Sequence, residues 1–153
     1  MKQQPQKLRN NPLWNEVIDL AQDMYGRADE LSGQVPDEKW NIERKIRNSA
    51  GDALFYLAQA IASTTPDTAE YDWNTARKSL FGLQTMYIFA GKQKFLDLDP
   101  QVVVKIDKLL QTIDSEIEKS RIGTEAKIQK EMEPWLEKYR LWKKMQDKKP
   151  RRP

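Results

Sequence analysis

Any chemistry in this chain has to come from charged and aromatic side chains, because its 153 residues include no His and no Cys. That absence closes Ser-His-Asp and Cys-His nucleophilic catalysis, imidazole or thiolate zinc sites and disulfide frameworks. A di-iron helical bundle needs paired Glu-x-x-His motifs, which the chain cannot supply, and neither of the Gly-rich phosphate-loop spacings occurs. No catalytic residue, metal site or cofactor is therefore expected. Polyanion binding remains open. Trp40, Arg44, Arg47, Gly51 and Ala58 fall along one line of a helix, about 100–160° from its apolar stripe. An indole can stack on an unpaired base, and a guanidinium can pair bidentately with a phosphate. The same residues have a plain structural reading: Trp40 as a packing staple, and Arg44 and Arg47 paired with Glu43 or with acids on a neighbour. Arg77 and Lys78 further along, and Lys92 and Lys94 in a loop, add positive charge.

The net charge of +3 is unevenly divided. Residues 1–118 carry 14 basic and 18 acidic side chains, a net of −4, whereas residues 119–153 carry 12 and 5, a net of +7. The basic end includes Arg140, Lys143, Lys144, Lys148, Lys149, Arg151 and Arg152. A segment this lopsided can attract a polyanion by counterion release. RNA or DNA is the expected partner, and a solvated terminal cluster is the alternative.

These side chains need elements to position them, and the apolar spacing is helical throughout. After Asn11-Pro12, Leu13, Val17, Leu20, Met24, Ala28 and Leu31 recur at steps of four and three until Gly33 and Pro36. A second helix is predicted from about Asp37, with stripe residues Ile42, Ile46, Ala50, Ala53, Leu57 and Ala60, ending at Ser63-Thr64-Thr65-Pro66. The third carries Ala69, Trp73, Ala76, Leu80, Leu83, Tyr87 and Ala90 and should end at Gly91. In the fourth, Asp99 caps, Pro100 opens, and Val103, Ile106, Leu110, Ile113 and Ile117 form the stripe, widened by Val102 and Leu109. Four helices of about 30 Å with short connections predict an all-α, up-down-up-down antiparallel four-helix bundle over residues 12–122.

Beyond Gly123 the pattern resumes with Ile128, Met132, Trp135, Tyr139 and Trp142, so residues 123–147 are expected to be a helical extension that Pro134 either kinks or restarts. Residues 1–11 and the basic 148–153 are expected to be flexible. On the third helix Phe81 and Ile88 make a second apolar face, which predicts self-association, the alternative being a core stripe broad enough to take them. The opening residues have no apolar signal region, and no apolar run approaches the length of a membrane span, so a cytoplasmic protein is expected.

From Leu13-Trp14-Asn15-Glu16-Val17 to Ser120, the order of features resembles a four-helix-bundle family. That family includes proteins encoded in ribosomal-RNA intervening sequences and the accessory variability determinant (Avd) proteins of diversity-generating retroelements. Carrying the resemblance are Arg44-Lys45-Ile46-Arg47-Asn48-Ser49-Ala50, then Ala76-Arg77-Lys78-Ser79-Leu80-Phe81-Gly82-Leu83 leading to Lys94-Phe95-Leu96-Asp97. Intervening-sequence members carry Ser-Ile-Pro-x-Asn-Ile-Ala-Glu-Gly in the second helix, where this chain reads Ala50-Gly51-Asp52-Ala53-Leu54-Phe55-Tyr56-Leu57-Ala58. The Avd-like branch is therefore the better match, and Tyr87-Ile88-Phe89-Ala90-Gly91-Lys92 also fits it. The resemblance implies a homopentameric barrel, not an enzyme, that engages a reverse transcriptase and nucleic acid during mutagenic copying. An oligomeric scaffold for protein–protein assembly alone, or an intervening-sequence protein, is the alternative.

Overall fold

A computed structural model describes residues 8–31 and 41–147. Residues 1–7 of the expected flexible segment 1–11, the expected flexible segment 148–153, the Gly33–Pro36 break, the Asp37 cap and Trp40 lie outside the described residues. Among the described residues four helices follow one another: α1 (Pro12–Leu31), α2 (Ile42–Ala62), α3 (Pro66–Lys92) and α4 (Pro100–Asp147). The described residues contain no strand.

Helix starts follow local chemistry. Asn11 Oδ1 accepts from the Trp14 amide at 3.2 Å, and Asp99 Oδ1 accepts from the Gln101 amide at 2.9 Å, so each side chain occupies a donor that the first helical turn leaves free. Pro12, Pro66 and Pro100 open their helices, where a missing N–H costs nothing. Before α2 stands Asn41 at φ 46°, a left-handed conformation that asparagine tolerates.

Contacts between helices fix their directions. Asp29 of α1 pairs with Arg47 of α2, and the Tyr25 hydroxyl lies over Gly51. Ser49 stands beside Gly82 of α3, while Gln59 and Ala62 share a cleft with Thr68 and Asp72. Gln84 of α3 donates to Asp107 of α4 at 2.6 Å, and Arg77 pairs with Asp114. In every pair, higher numbers on one helix meet lower numbers on the next. Consecutive helices are antiparallel, as the short connections require.

The core repeats the predicted spacing. Val17, Leu20, Met24, Ala28 and Leu31 of α1 are buried, as are all six stripe residues of α2 and every stripe residue of α3 from Trp73 to Ala90. The small alanines let α2 and α3 approach closely, and these two form the most extensive contact of the bundle. On α4 the phase differs: Val102, Ile106, Leu109 and Ile113 are buried, and Val103, Leu110 and Ile117 pack at the margin. Helix α4 packs chiefly on α3 and meets α1 only sparsely, so its buried face is turned from the predicted stripe centre. Between the start of α1 and α4 a cleft of about 520 Å³ opens, lined by residues that include Glu16, Ile61, Trp73 and Glu116.

Three helix boundaries differ from expectation. Helix α2 begins at Ile42, after the left-handed Asn41, rather than near Asp37. Helix α3 runs to Lys92 rather than stopping at Gly91, and the left-handed residue that ends it is Lys94, at φ 59°. Gly91 is instead a contact position, because a Cβ there would stand 2.7 Å from Leu98 Cβ. Helix α4 passes through Gly123 without a break and continues through Pro134 to Asp147. Its 48 residues extend about 72 Å at 1.5 Å per residue, more than twice the length of α1. Gly123 lets α4 pass close to the start of α3, where a Cβ would meet Pro66 Cγ at 3.2 Å. At the other end, Leu8 packs against the core, so packing begins before Pro12.

Candidate nucleic-acid interface

The structure divides the nominated cations into distant groups. Arg44 and Arg47 lie at the start of α2, and Lys92 and Lys94 lie where α3 gives way to α4. Both places belong to one end of the bundle, because α1 ends against the start of α2 and Lys94 shares a small cleft with Glu30. Arg140, Lys143 and Lys144 lie far along α4, about 60 Å from its first turn. They cannot share a patch with Arg44 in one subunit.

Within the bundle, two of the three nominated guanidinium groups already have carboxylate partners. Arg47 is half-buried and pairs with Asp29 across the α1–α2 contact and with Glu43 at 2.8 Å on its own helix. It ties two helices together, and its Nε is buried without a partner among the described residues. Arg77 pairs with Asp114 across α3 and α4. The line of cations expected on α2 is thus partly structural: Arg44 is exposed, Arg47 is engaged, and Trp40 lies outside the described residues. Lys78, Lys92 and Lys94 are exposed. Lys92 sits in the last turn of α3, where a cation complements the helix dipole.

The arm of α4 beyond the bundle is different. Every residue from Glu125 to Met145 is exposed. Arg140, Lys143 and Lys144 project there with no ion-pair partner among the described residues. Aromatic rings stand on the same arm: Tyr139 and Trp142 are stacked with centroids 6.0 Å apart, and Lys138 Nζ lies 5.4 Å from the Trp135 centroid. The remaining nominated cations, Lys148, Lys149, Arg151 and Arg152, lie outside the described residues. Of the two residues expected to mediate self-association, Phe81 is exposed and Ile88 is half-buried on α3.

Sequence reasoning missed a polar node at the closed end of the bundle. The buried Tyr87 hydroxyl accepts from Arg27 Nη1 at 3.1 Å and from the Asp99 amide at 2.9 Å. Arg27 also pairs with Asp23 at 3.0 Å and approaches Asp99 at 3.6 Å, and its guanidinium lies over the Tyr87 ring. Burial disfavours the charged form of Arg27, but the hydrogen bond to Asp23 and the surrounding negative charge outweigh it and raise its pKa. One hydroxyl thereby joins α1, α3 and the cap of α4. Its only signal in the sequence is a tyrosine at a core position, since a buried phenol needs a polar partner. Asp72, nearly buried on α3, has its carboxyl pKa raised by desolvation.

Among the described residues no group of His, Cys, Asp or Glu side chains could hold a metal ion, and no helix is long and apolar enough to cross a membrane. No family model, curated protein or solved structure matches this chain.

Proposed function

We propose that the chain is a non-enzymatic nucleic-acid-binding protein whose phosphate contacts are made by the arm of α4. The observation that carries this reading is the contrast in partnering: the nominated bundle arginines Arg47 and Arg77 are held by carboxylates, whereas Arg140, Lys143 and Lys144 are exposed and have no ion-pair partner among the described residues. An arginine already paired must lose that partner before it binds phosphate, whereas an exposed lysine loses only water and counterions. The resemblance to the Avd branch supports the finer form of the proposal. In that form the protein assembles into a pentameric ring, with Phe81 and Ile88 at subunit contacts, and accompanies a reverse transcriptase acting on RNA and DNA. A ring would multiply weak contacts by avidity.

Salt titration of full-length protein against single-stranded RNA tests the binding reading. Affinity should fall steeply and log-linearly with salt, and replacing Arg140, Lys143 and Lys144 together by Ala should flatten the slope by about 2, at roughly 0.7 per lost phosphate contact. Absence of binding at roughly 50 mM salt would overturn the proposal. Assembly without nucleic acid is a second reading, favoured by the apolar stripe of the arm.

A further inference from the structure

We propose that the arm of α4 pairs with the arm of a second copy of this chain, antiparallel, through the stripe Ile128, Met132, Trp135, Tyr139 and Trp142. This goes beyond the nucleic-acid reading and does not depend on it. Each of the five side chains is at least half exposed, and no described residue of its own chain covers the stripe. An isolated helix of about 25 residues interrupted by a proline is marginal in water, so the stripe needs a partner to keep the helix formed. The spacing is 4-3-4-3, the seam of a two-helix coiled coil, and Pro134 stands off that seam.

Charge selects both the partner and its direction. Residues 123–137 carry two basic and four acidic side chains, a net of −2, while residues 138–147 carry four basic and one acidic, a net of +3. Two arms laid antiparallel put each basic half beside an acidic half. Residue by residue, the antiparallel register that stacks Ile128 on Tyr139 and Met132 on Trp135 also brings Glu131 beside Lys138, twice by symmetry. Neither residue has an ion-pair partner in its own chain among the described residues. A parallel pair would instead set Lys138 against Lys143 and abut Trp135 on Trp135. Size fits as well: at 150 Å² or more each, the three aromatics of two copies remove roughly 900 Å² from water, and the aliphatic side chains bring the total into the range of stable interfaces, about 1,200–2,000 Å².

Because the chain has no cysteine, single substitutions report the register directly. Ile128→Cys and Tyr139→Cys are made in full-length, nucleic-acid-free protein and oxidised separately and as a mixture. Antiparallel pairing predicts a disulfide-linked dimer from the mixture alone, since identical positions would stand about 16 Å apart, beyond the reach of a disulfide. Cross-linking of each variant with itself, or of none, overturns the proposal. Lys138→Glu should weaken the same association about tenfold in sedimentation, and adding Glu131→Lys should restore it. Failure of that rescue also overturns the register.

Discussion

The two halves of α4 carry apolar residues at the same helical spacing and differ in whether anything lies against them. In the first half Val102, Ile106, Leu109 and Ile113 are buried against the bundle, while in the second Ile128, Met132, Trp135 and Tyr139 stand in solvent. The composition around the stripes differs too. Inside the bundle the stripe residues are aliphatic, small enough to interdigitate with α3; along the arm three of the five are aromatic, and lysine and arginine flank them. Spacing therefore specifies that a helix has a face, and the side chains on that face indicate what kind of surface it meets.

Substitutions on the two sides should separate them sharply. The largest effect belongs to the bundle. Leu80→Ala removes a fully buried side chain at the centre of α3 and should cost about 2–5 kcal/mol in chemical denaturation followed by circular dichroism. Trp142→Ala on the arm should leave the bundle transition unmoved; an equal loss in both would mean the arm is packed on the bundle.

Next in size is the loss of function on the other side. Replacing Arg140, Lys143 and Lys144 by Ala should lower RNA affinity by about ten- to a hundredfold at low salt with an unchanged melting temperature. Arg44→Ala should cost severalfold at most, and the reverse ranking would move the interface to the bundle.

A smaller effect is expected at the polar node. Tyr87→Phe keeps the ring but leaves the Arg27 guanidinium and the Asp99 amide short of an acceptor, at a cost of about 1–2 kcal/mol. Amide exchange should then quicken at the start of α4, with the arm unaffected.

The smallest concerns Asp72. Burial raises its folded-state pKa, so the fold prefers the protonated carboxyl and its charge opposes folding at neutral pH. That opposition fades as pH falls through the raised value, which lies above the ordinary carboxylate range near 4. Asp72→Asn should raise the melting temperature slightly at pH 7 and by less as pH falls. A constant difference from pH 3 to 7 would assign the gain to something other than titration.

Much of the bundle was legible because its determinants are local. Stripe spacing, Asn11 and Asp99 as caps, and Pro12, Pro66 and Pro100 as openers are each set within a few residues. Phase errors arose where a neighbour decides: Leu109 rather than Leu110 is central because α3, not α1, supplies most of the cover for α4. Gly91 read as a stop, yet the helix runs through it, and what the glycine provides there is room for Leu98 from the following loop. The candidate site was legible as composition and not as geometry. Nothing near Arg47 or Arg77 in the sequence shows that Asp29 and Asp114, 18 and 37 residues away, fold onto them.

The unbroken passage of α4 through Gly123 makes the helix a shaft, with the bundle keyed to one end and the arm to the other. On a shaft the bearing of the arm is set by counting: each residue between Ile113 and Ile128 turns it by about 100° and advances it about 1.5 Å. A single residue inserted between Thr124 and Ile128, beyond the packing of Ile117 and Gly123 on the bundle, would swing Trp135 and Tyr139 by more than a quarter-turn around the axis while leaving that packing in place. Two bundles coupled through such shafts would take their mutual angle from the length of a helix, a quantity that changes only in whole residues.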